Sequence, residues 1–334
     1  MNYNEIIVVG AGGWGTALAM QLASKYANVI LWSFEELIAE EINTKHTNSI
    51  FLPNITLPKN IKAISNINDI IAYDYIVNTV PTQFIRNLYE PIGCYLKDKV
   101  IINGAKGIEQ KTLLRISEIF EEVIDLRPEN YVILTGPSHA EEVSLNIPTT
   151  IVAASKNLEL AKYIQNSFST KSLRIYTAKD VIGCEIGGAL KNVIAITAGI
   201  LDGLNLGDNT KAALITRGLA EIARLGVALG ADYLTFSGLS GLGDLIVTCS
   251  SKHSRNRNVG ELIGNGWTLE DIIKKHKTIA EGIYTTFSAY ELAKKMNIEM
   301  PITIQTYKAL FENISASLIV ENLMSRKYNE EIWM

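Results

Sequence analysis

Lys191 closes the segment Gly183-Cys184-Glu185-Ile186-Gly187-Gly188-Ala189-Leu190-Lys191-Asn192, in which Gly183, Gly187 and Lys191 recur at i, i+4 and i+8 and so share one helix face. A glycine costs a helix up to about 1 kcal/mol relative to alanine. A segment this rich in glycine therefore needs a close neighbour, either another backbone or a ligand. The apolar run Val193-Ile194-Ala195-Ile196 follows. Such surroundings desolvate an ammonium and turn a lysine into a usable proton carrier; the plainer reading is a buried lysine satisfied by a carboxylate. Further on, Ser237-Gly238-Leu239-Ser240-Gly241-Leu242-Gly243-Asp244 is a loop that can fold tightly and set Asp244 at an apolar edge, as a partner for Lys191. Ser254-Arg255-Asn256 then groups a planar guanidinium with hydroxyl and amide donors, which suits a phosphate or a carboxylate.

Three segments earlier in the chain carry chemistry of their own. Gly10-Ala11-Gly12-Gly13-Trp14-Gly15 is a G-x-G-x-x-G that leaves a strand and opens a helix. In that setting Gly10 makes the tight turn, Gly12 lets the backbone approach a pyrophosphate, and Gly15 lets the helix pack on the strand. Lys106 lies between small residues in Gly104-Ala105-Lys106-Gly107, at a strand's carboxyl end, where open α/β sheets bind ligands. Gly136-Pro137-Ser138-His139-Ala140-Glu141 also follows a strand; Ser138 and Glu141 have the spacing of a capping box, and His139 is a candidate general acid. Cys249 and His253, four apart, invite a thiolate–imidazole reading, but the sequence offers no third group to orient them.

These residues need a scaffold. Ile6–Val9, Val29–Trp32, Tyr75–Val80, Val100–Asn103, Tyr131–Leu134 and Thr150–Ala154 are apolar runs without polar alternation, which predicts strands covered on both faces. With helical patterns between them they predict an α/β Rossmann-type doubly wound sheet over residues 1–180. From residue 181 to 334 the patterns are helical, which predicts an all-α substrate and catalytic domain. Asp208 and Thr268 are candidate caps, and Asn209 to about Leu229, Ser288–Met296 and Ile304–Leu323 read as helices. Lys274-Lys275-His276-Lys277 reads as a solvated face.

Composition removes several classes. The net charge of −4 argues against nucleic-acid binding through overall positive charge. No uninterrupted apolar stretch reaches about 18 residues, so stable membrane insertion is not expected. The N-terminus lacks the basic and apolar regions of a signal peptide. The three cysteines and four histidines are scattered without metal-ligand spacing, which suits a reducing cytoplasm and predicts no metal site.

Taken in order, G-A-G-G-W-G-T-A-L, N-G-A-K-G-I-E, G-P-S-H-A-E-E-V, G-G-A-L-K-N-V-I-A and G-L-S-G-L-G-D-L-I-V-T-C with S-R-N-R-N resemble the bacterial-type NAD(P)-dependent sn-glycerol-3-phosphate dehydrogenases, over residues 10 to about 282. The resemblance implies hydride transfer between NAD(P)H and dihydroxyacetone phosphate, feeding phospholipid synthesis, with Lys191 as the proton carrier. It implies that Lys106 touches substrate and cofactor, that Gly136, Ser138, Asp244, Ser254, Arg255 and Asn256 line the substrate, and that Gly13, Trp14, Ala140, Arg255, Ile279 and Glu281 meet the cofactor. It also implies, with the apolar helical second half, a homodimer.

Many family members carry a basic residue or histidine after the second strand, where this chain has Phe34 followed by Glu35. That departure favours NADH over NADPH. Two other readings compete. A β-hydroxyacid dehydrogenase shares the Lys-Asn pair but wants a carboxylate substrate. A dinucleotide sensor without turnover would need no proton carrier.

Overall fold

The computed structural model describes residues 4–275, 280–327 and 330–331. The chain divides into two compact units, Met1–Lys106 with Ile116–Val181, and Gly107–Arg115 with Ile182–Met334.

The first unit is built on strands β1 (Glu5–Val9), β2 (Asn28–Trp32), β5 (Ile61–Ile64), β6 (Tyr75–Asn78), β7 (Val100–Asn103), β8 (Tyr131–Thr135), β9 (Thr149–Ala154) and β10 (Leu173–Ala178), with β3 (Thr47–Asn48) and β4 (Leu52–Thr56) forming a separate small ribbon. The sheet order is β10-β9-β8-β7-β6-β1-β2-β5. All neighbours are parallel except β8 and β9, so the last two strands run against the rest. Among the described residues, six α-helices belong to this unit: α1 (Gly13–Leu22), α2 (Glu36–Lys45), α3 (Thr82–Tyr89), α4 (Ile116–Ile124), α5 (Ala140–Ser144) and α6 (Leu158–Phe168). The central strands are buried on both faces, as their unbroken apolar runs require; Val8, Leu31, Val77, Ile102 and Val132 share one core with Leu18 and Leu22 of α1.

Strands β5 and β10 are the two edges, and their sequences alternate: Ile61 and Ala63 are buried while Lys62 is exposed, and Leu173 and Ile175 are buried while Arg174 and Tyr176 are exposed. The strand expected over Tyr75–Val80 stops at Asn78, whose amide turns to Asn103 at 2.8 Å. Ser138 does not cap α5: the residue before that helix is His139, and the Ser138 hydroxyl donates to the Gly136 carbonyl at 2.9 Å.

The second unit is helical, with α7 (Val181–Gly203), α8 (Gly207–Ala228), α9 (Asp244–Ser250), α10 (Arg255–Gly264), α11 (Leu269–Lys275), α12 (Glu281–Met296), α13 (Pro301–Phe311) and α14 (Ala316–Met324). No strand occurs in it among the described residues. α7 is long and apolar enough to cross a membrane, but 94% of its most apolar stretch is buried inside the fold. Thr268 caps α11 as expected, exchanging bonds with Asp271. Asp208 lies in the first turn of α8 rather than before it, where a carboxylate still complements the helix dipole. The single helix expected over Ile304–Leu323 is two, because Asn313 takes a left-handed φ of 54° and Ser315 begins α14 by accepting from the Leu318 amide. Lys274 pairs with Glu270 on an exposed face; His276 and Lys277 lie outside the described residues.

Candidate active site

In the first unit the glycine turn is closed by contact. Gly10 has φ +114°, and a Cβ on Gly15 would lie 1.9 Å from the Gly10 carbonyl oxygen, so α1 can start only where no side chain intervenes. The Thr79 hydroxyl clamps the turn by donating to that oxygen at 2.9 Å. The side of Gly12 is open, with nothing within 4 Å of a Cβ built there. α1 has no side-chain cap and no acidic residue in its first turn. Its amide groups and dipole are thus left to an anion, and a pyrophosphate fits that open cradle. Gly13 packs against the Phe51 carbonyl and Ala140, and the buried Trp14 indole nitrogen, which has no hydrogen-bond partner, lies against Gly104.

Lys106, Gly136 and Ser138 are brought together: the lysine Nζ and the serine hydroxyl both donate to the Gly136 carbonyl, at 3.1 and 2.9 Å. Gly136 has φ +138° and abuts the Ile151 backbone. Phe34, just past β2, is 79% exposed and meets Trp32 edge to face, and Glu35 beside it is exposed.

In the second unit Lys191 is buried and forms an ion pair with Asp244, which is wholly buried. Its Nζ also donates to the Thr248 hydroxyl at 2.9 Å, and that hydroxyl donates to the Asp244 carbonyl at 2.6 Å. The glycine face of α7 has the use its spacing required: a Cβ on Gly187 would sit 2.5 Å from the Ser240 carbonyl, so the loop before α9 lies directly on the helix and delivers Asp244 to Lys191. Sequence reasoning passed over Thr248; its signal was the i, i+4 spacing from Asp244.

α10 carries the proposed anion anchor. Ser254 caps it by accepting from the Arg257 amide at 3.2 Å, and Ser254 and Arg255 line a cavity of about 180 Å3 together with Lys252, His253 and Asn258. The helix crosses α7 backbone on backbone. A Cβ on Gly260 would fall 1.8 Å from the Ile196 carbonyl, and one on Gly199 would fall 1.9 Å from the Arg257 carbonyl. Asp202 at the end of α7 completes the crossing by pairing with Lys211 and with Arg257, the latter at 2.6 Å.

Asn256 donates from Nδ2 to Asn192 Oδ1 and accepts at Oδ1 from the Gly282 amide, both at 2.9 Å. Glu281 opens α12, while Ile279 lies outside the described residues. The thiolate reading of Cys249 fails on its surroundings: burial pushes the thiol up to about 12, against the pull of Lys191. Another buried group escaped notice in the sequence. Glu221 of α8 accepts from the Ile302 and Thr303 amides at 2.6 and 3.1 Å, tying down the start of α13, and burial raises its carboxyl to about 7. Among the described residues there is no cluster of His, Cys, Asp and Glu able to hold a metal ion.

A doubly wound sheet with an open, uncapped glycine turn, joined to a helical unit that buries a lysine–carboxylate pair, defines an NAD(P)-dependent oxidoreductase. Sequence models described as NAD-dependent glycerol-3-phosphate dehydrogenase N-terminus and C-terminus match residues 5–161 and 180–321. A protein of Bacillus pumilus named glycerol-3-phosphate dehydrogenase, NAD(P)+, is 49% identical over 98% of this chain and 96% of its own length. One from Fusobacterium nucleatum with the same name is 50% identical over 98% of each. A crystal structure of glycerol-3-phosphate dehydrogenase from Coxiella burnetii is 35% identical and covers 97% of this chain and 99% of its own, with a TM-score of 0.92. The chain belongs to the NAD-dependent glycerol-3-phosphate dehydrogenase family.

Proposed function

We propose that the chain catalyses reversible reduction of dihydroxyacetone phosphate to sn-glycerol 3-phosphate, with Lys191 as the proton donor in reduction and the acceptor in oxidation. The observation that carries this reading is the buried Lys191–Asp244 pair with Thr248 on its flank. Mere binding of a dinucleotide has no use for a proton carrier, and water is excluded from one that is buried. The nicotinamide, when bound, supplies the hydride or takes it back. The Lys191 ammonium gives its proton to the oxygen that was the carbonyl, where negative charge develops. Asp244 holds the ammonium in place, and Thr248 fixes its direction. Arg255 takes the phosphate as a charge-assisted partner, with Ser254 beside it. Gly10, Gly12, Gly13, Trp14 and Gly15 hold the pyrophosphate at the start of α1, with Ala140 packed against Gly13, and Lys106 serves substrate and cofactor from its place on Gly136.

Phe34 and Glu35 offer a 2′-phosphate no cation, which supports a preference for NADH. The product feeds glycerophospholipid synthesis in the cytoplasm, and the working form is a homodimer. The test follows loss of reduced-nicotinamide absorbance with dihydroxyacetone phosphate, with NADH and NADPH in parallel. Turnover, faster with NADH, supports the reading. Folded protein that binds dinucleotide but turns over neither refutes it.

A further inference from the structure

We propose that Asn103 is a positioning residue for Lys106, held to that task by Asn78 and Tyr89; the proposal rests on the dehydrogenase reading above. Asn78 and Asn103 are register partners at the carboxyl ends of β6 and β7, and with Tyr89 of α3 they are 0% exposed. An amide group shut away from water costs free energy unless it is hydrogen-bonded, and both of these are. The Val80 and Ala105 backbone amides can only donate, so each asparagine oxygen must face one of them: Asn78 Oδ1 accepts from Val80 at 3.4 Å, and Asn103 Oδ1 accepts from Ala105 at 3.2 Å. Asn78 Nδ2 then donates to Asn103 Oδ1 at 2.8 Å, and the Tyr89 hydroxyl donates to Asn78 Oδ1 at 3.1 Å. Asn103 Nδ2 donates to the Ala105 carbonyl at 3.0 Å.

Asn103 therefore grips both backbone polar groups of Ala105, the residue that delivers Lys106. The step before it is closed as well: the Gly104 amide donates to the Asn78 carbonyl at 2.7 Å, and a Cβ on Gly104 would lie 2.7 Å from the Trp14 indole nitrogen. The backbone of Gly104 and Ala105 thus has one path, and it ends at the lysine whose Nζ reaches the Gly136 carbonyl. Asn78 extends the same net to Val80, beside Thr79, whose hydroxyl clamps the glycine turn. Aliphatic side chains are the usual filling of strands covered on both faces. Two linked amides in their place give up apolar burial and fix the course of the loops that leave these strands.

Asn103→Ala, Lys106→Ala and their double variant test this. Asn103→Ser is the gentler change, since its hydroxyl can still accept from the Ala105 amide. Asn103→Ala should lower kcat/KM for dihydroxyacetone phosphate about 10- to 100-fold, the effect of displacing a placed group by about an ångström, and Asn103→Ser should lower it less. In the Lys106→Ala background neither change should move kcat/KM by more than about twofold, because the group being placed is gone. An equal loss in both backgrounds would overturn the proposal. So would an Asn103→Ala enzyme whose urea midpoint falls while kcat/KM holds, which marks a purely structural role. If Asn103→Ala does not fold, Asn103→Ser carries the same comparison alone. If the wild-type protein has no turnover, the dehydrogenase reading fails. Fluorescence titrations of the same proteins with NADH then decide the positioning: a loss of affinity that disappears once Lys106 is removed supports it, and an equal loss, or none, overturns it.

Discussion

Lys191→Ala and Asp244→Ala, made singly and together, probe the charge pair from both sides. Removing Lys191 leaves the Asp244 carboxylate, 0% exposed, without its ammonium; removing Asp244 leaves a buried lysine without this carboxylate. Breaking a buried pair by removing one partner costs about 3–5 kcal/mol, because the remaining charge stays in a low-dielectric site. The double variant carries neither charge, so its loss should be close to that of one single variant, with a coupling energy of about 3 kcal/mol. Urea denaturation followed by circular dichroism, with the four proteins compared at a common slope, gives the cycle. Turnover should echo it. Each single variant is expected to lower kcat by roughly 10²–10⁴, the usual contribution of a placed proton carrier, and the double variant should fall no further than Lys191→Ala alone. Stabilities that add within about 0.5 kcal/mol, or kcat losses that multiply, would refute the claim that Asp244 is there for Lys191.

Arg255→Gln should raise KM for dihydroxyacetone phosphate and lower kcat/KM by on the order of 10²-fold, from loss of a charge-assisted bond of about 1.5–3 kcal/mol; an unaltered KM would place the phosphate elsewhere. Phe34→Arg gives the exposed end of β2 a cation, so the NADPH-to-NADH ratio of kcat/KM should rise about tenfold or more, and an unchanged ratio would remove this position from cofactor choice. Glu221 titrates near 7 in the fold against an ordinary value of 4.5, so the native state binds its proton more tightly than the unfolded chain does. Its stabilising contribution is full below about 4.5 and lost as pH rises through about 7, amounting to about 3 kcal/mol. Glu221→Gln should therefore gain stability relative to wild type between pH 5 and pH 8 in thermal melts; a gap independent of pH would show that Glu221 does not titrate there.

The buried strands were legible because covering on both faces leaves no polar residue in the run, as in Ile6-Ile7-Val8-Val9. Strands β5 and β10 were not, because an edge strand of four or six residues with one face exposed, as in Ile61-Lys62-Ala63-Ile64, alternates too briefly to stand out. The glycines of α7 announced a close neighbour, and Ser240 supplies it, but no pattern in the sequence says which loop comes to that face. The pairing of Lys191 with Asp244 was legible as chemistry. The roles of Asn192 and Glu221 were not, since each depends on the angle at which one helix meets another. The affiliation of Gly107–Arg115 with the helical unit had no local signal either: it rests on tertiary contacts such as the Arg115–Glu185 ion pair at 2.6 Å and the bond from Ser288 to the Ile108 carbonyl.

The crossing of α7 and α10 bears on how such an enzyme can change over generations. Side chains at most helix contacts have rotamers, so neighbouring substitutions are absorbed by small rearrangements. At Gly199 and Gly260 there is nothing to rearrange, because carbonyl oxygens occupy the space a methyl would need. The spacing from Lys191 on α7 to Arg255, which opens α10, is therefore insulated from drift in the surrounding core. Under the proposed function it would act as a fixed gauge for the length of the substrate held between them. A lineage moving toward a longer or shorter phosphorylated ketone would have to alter these glycines themselves, and adding a single methyl there shifts a whole helix.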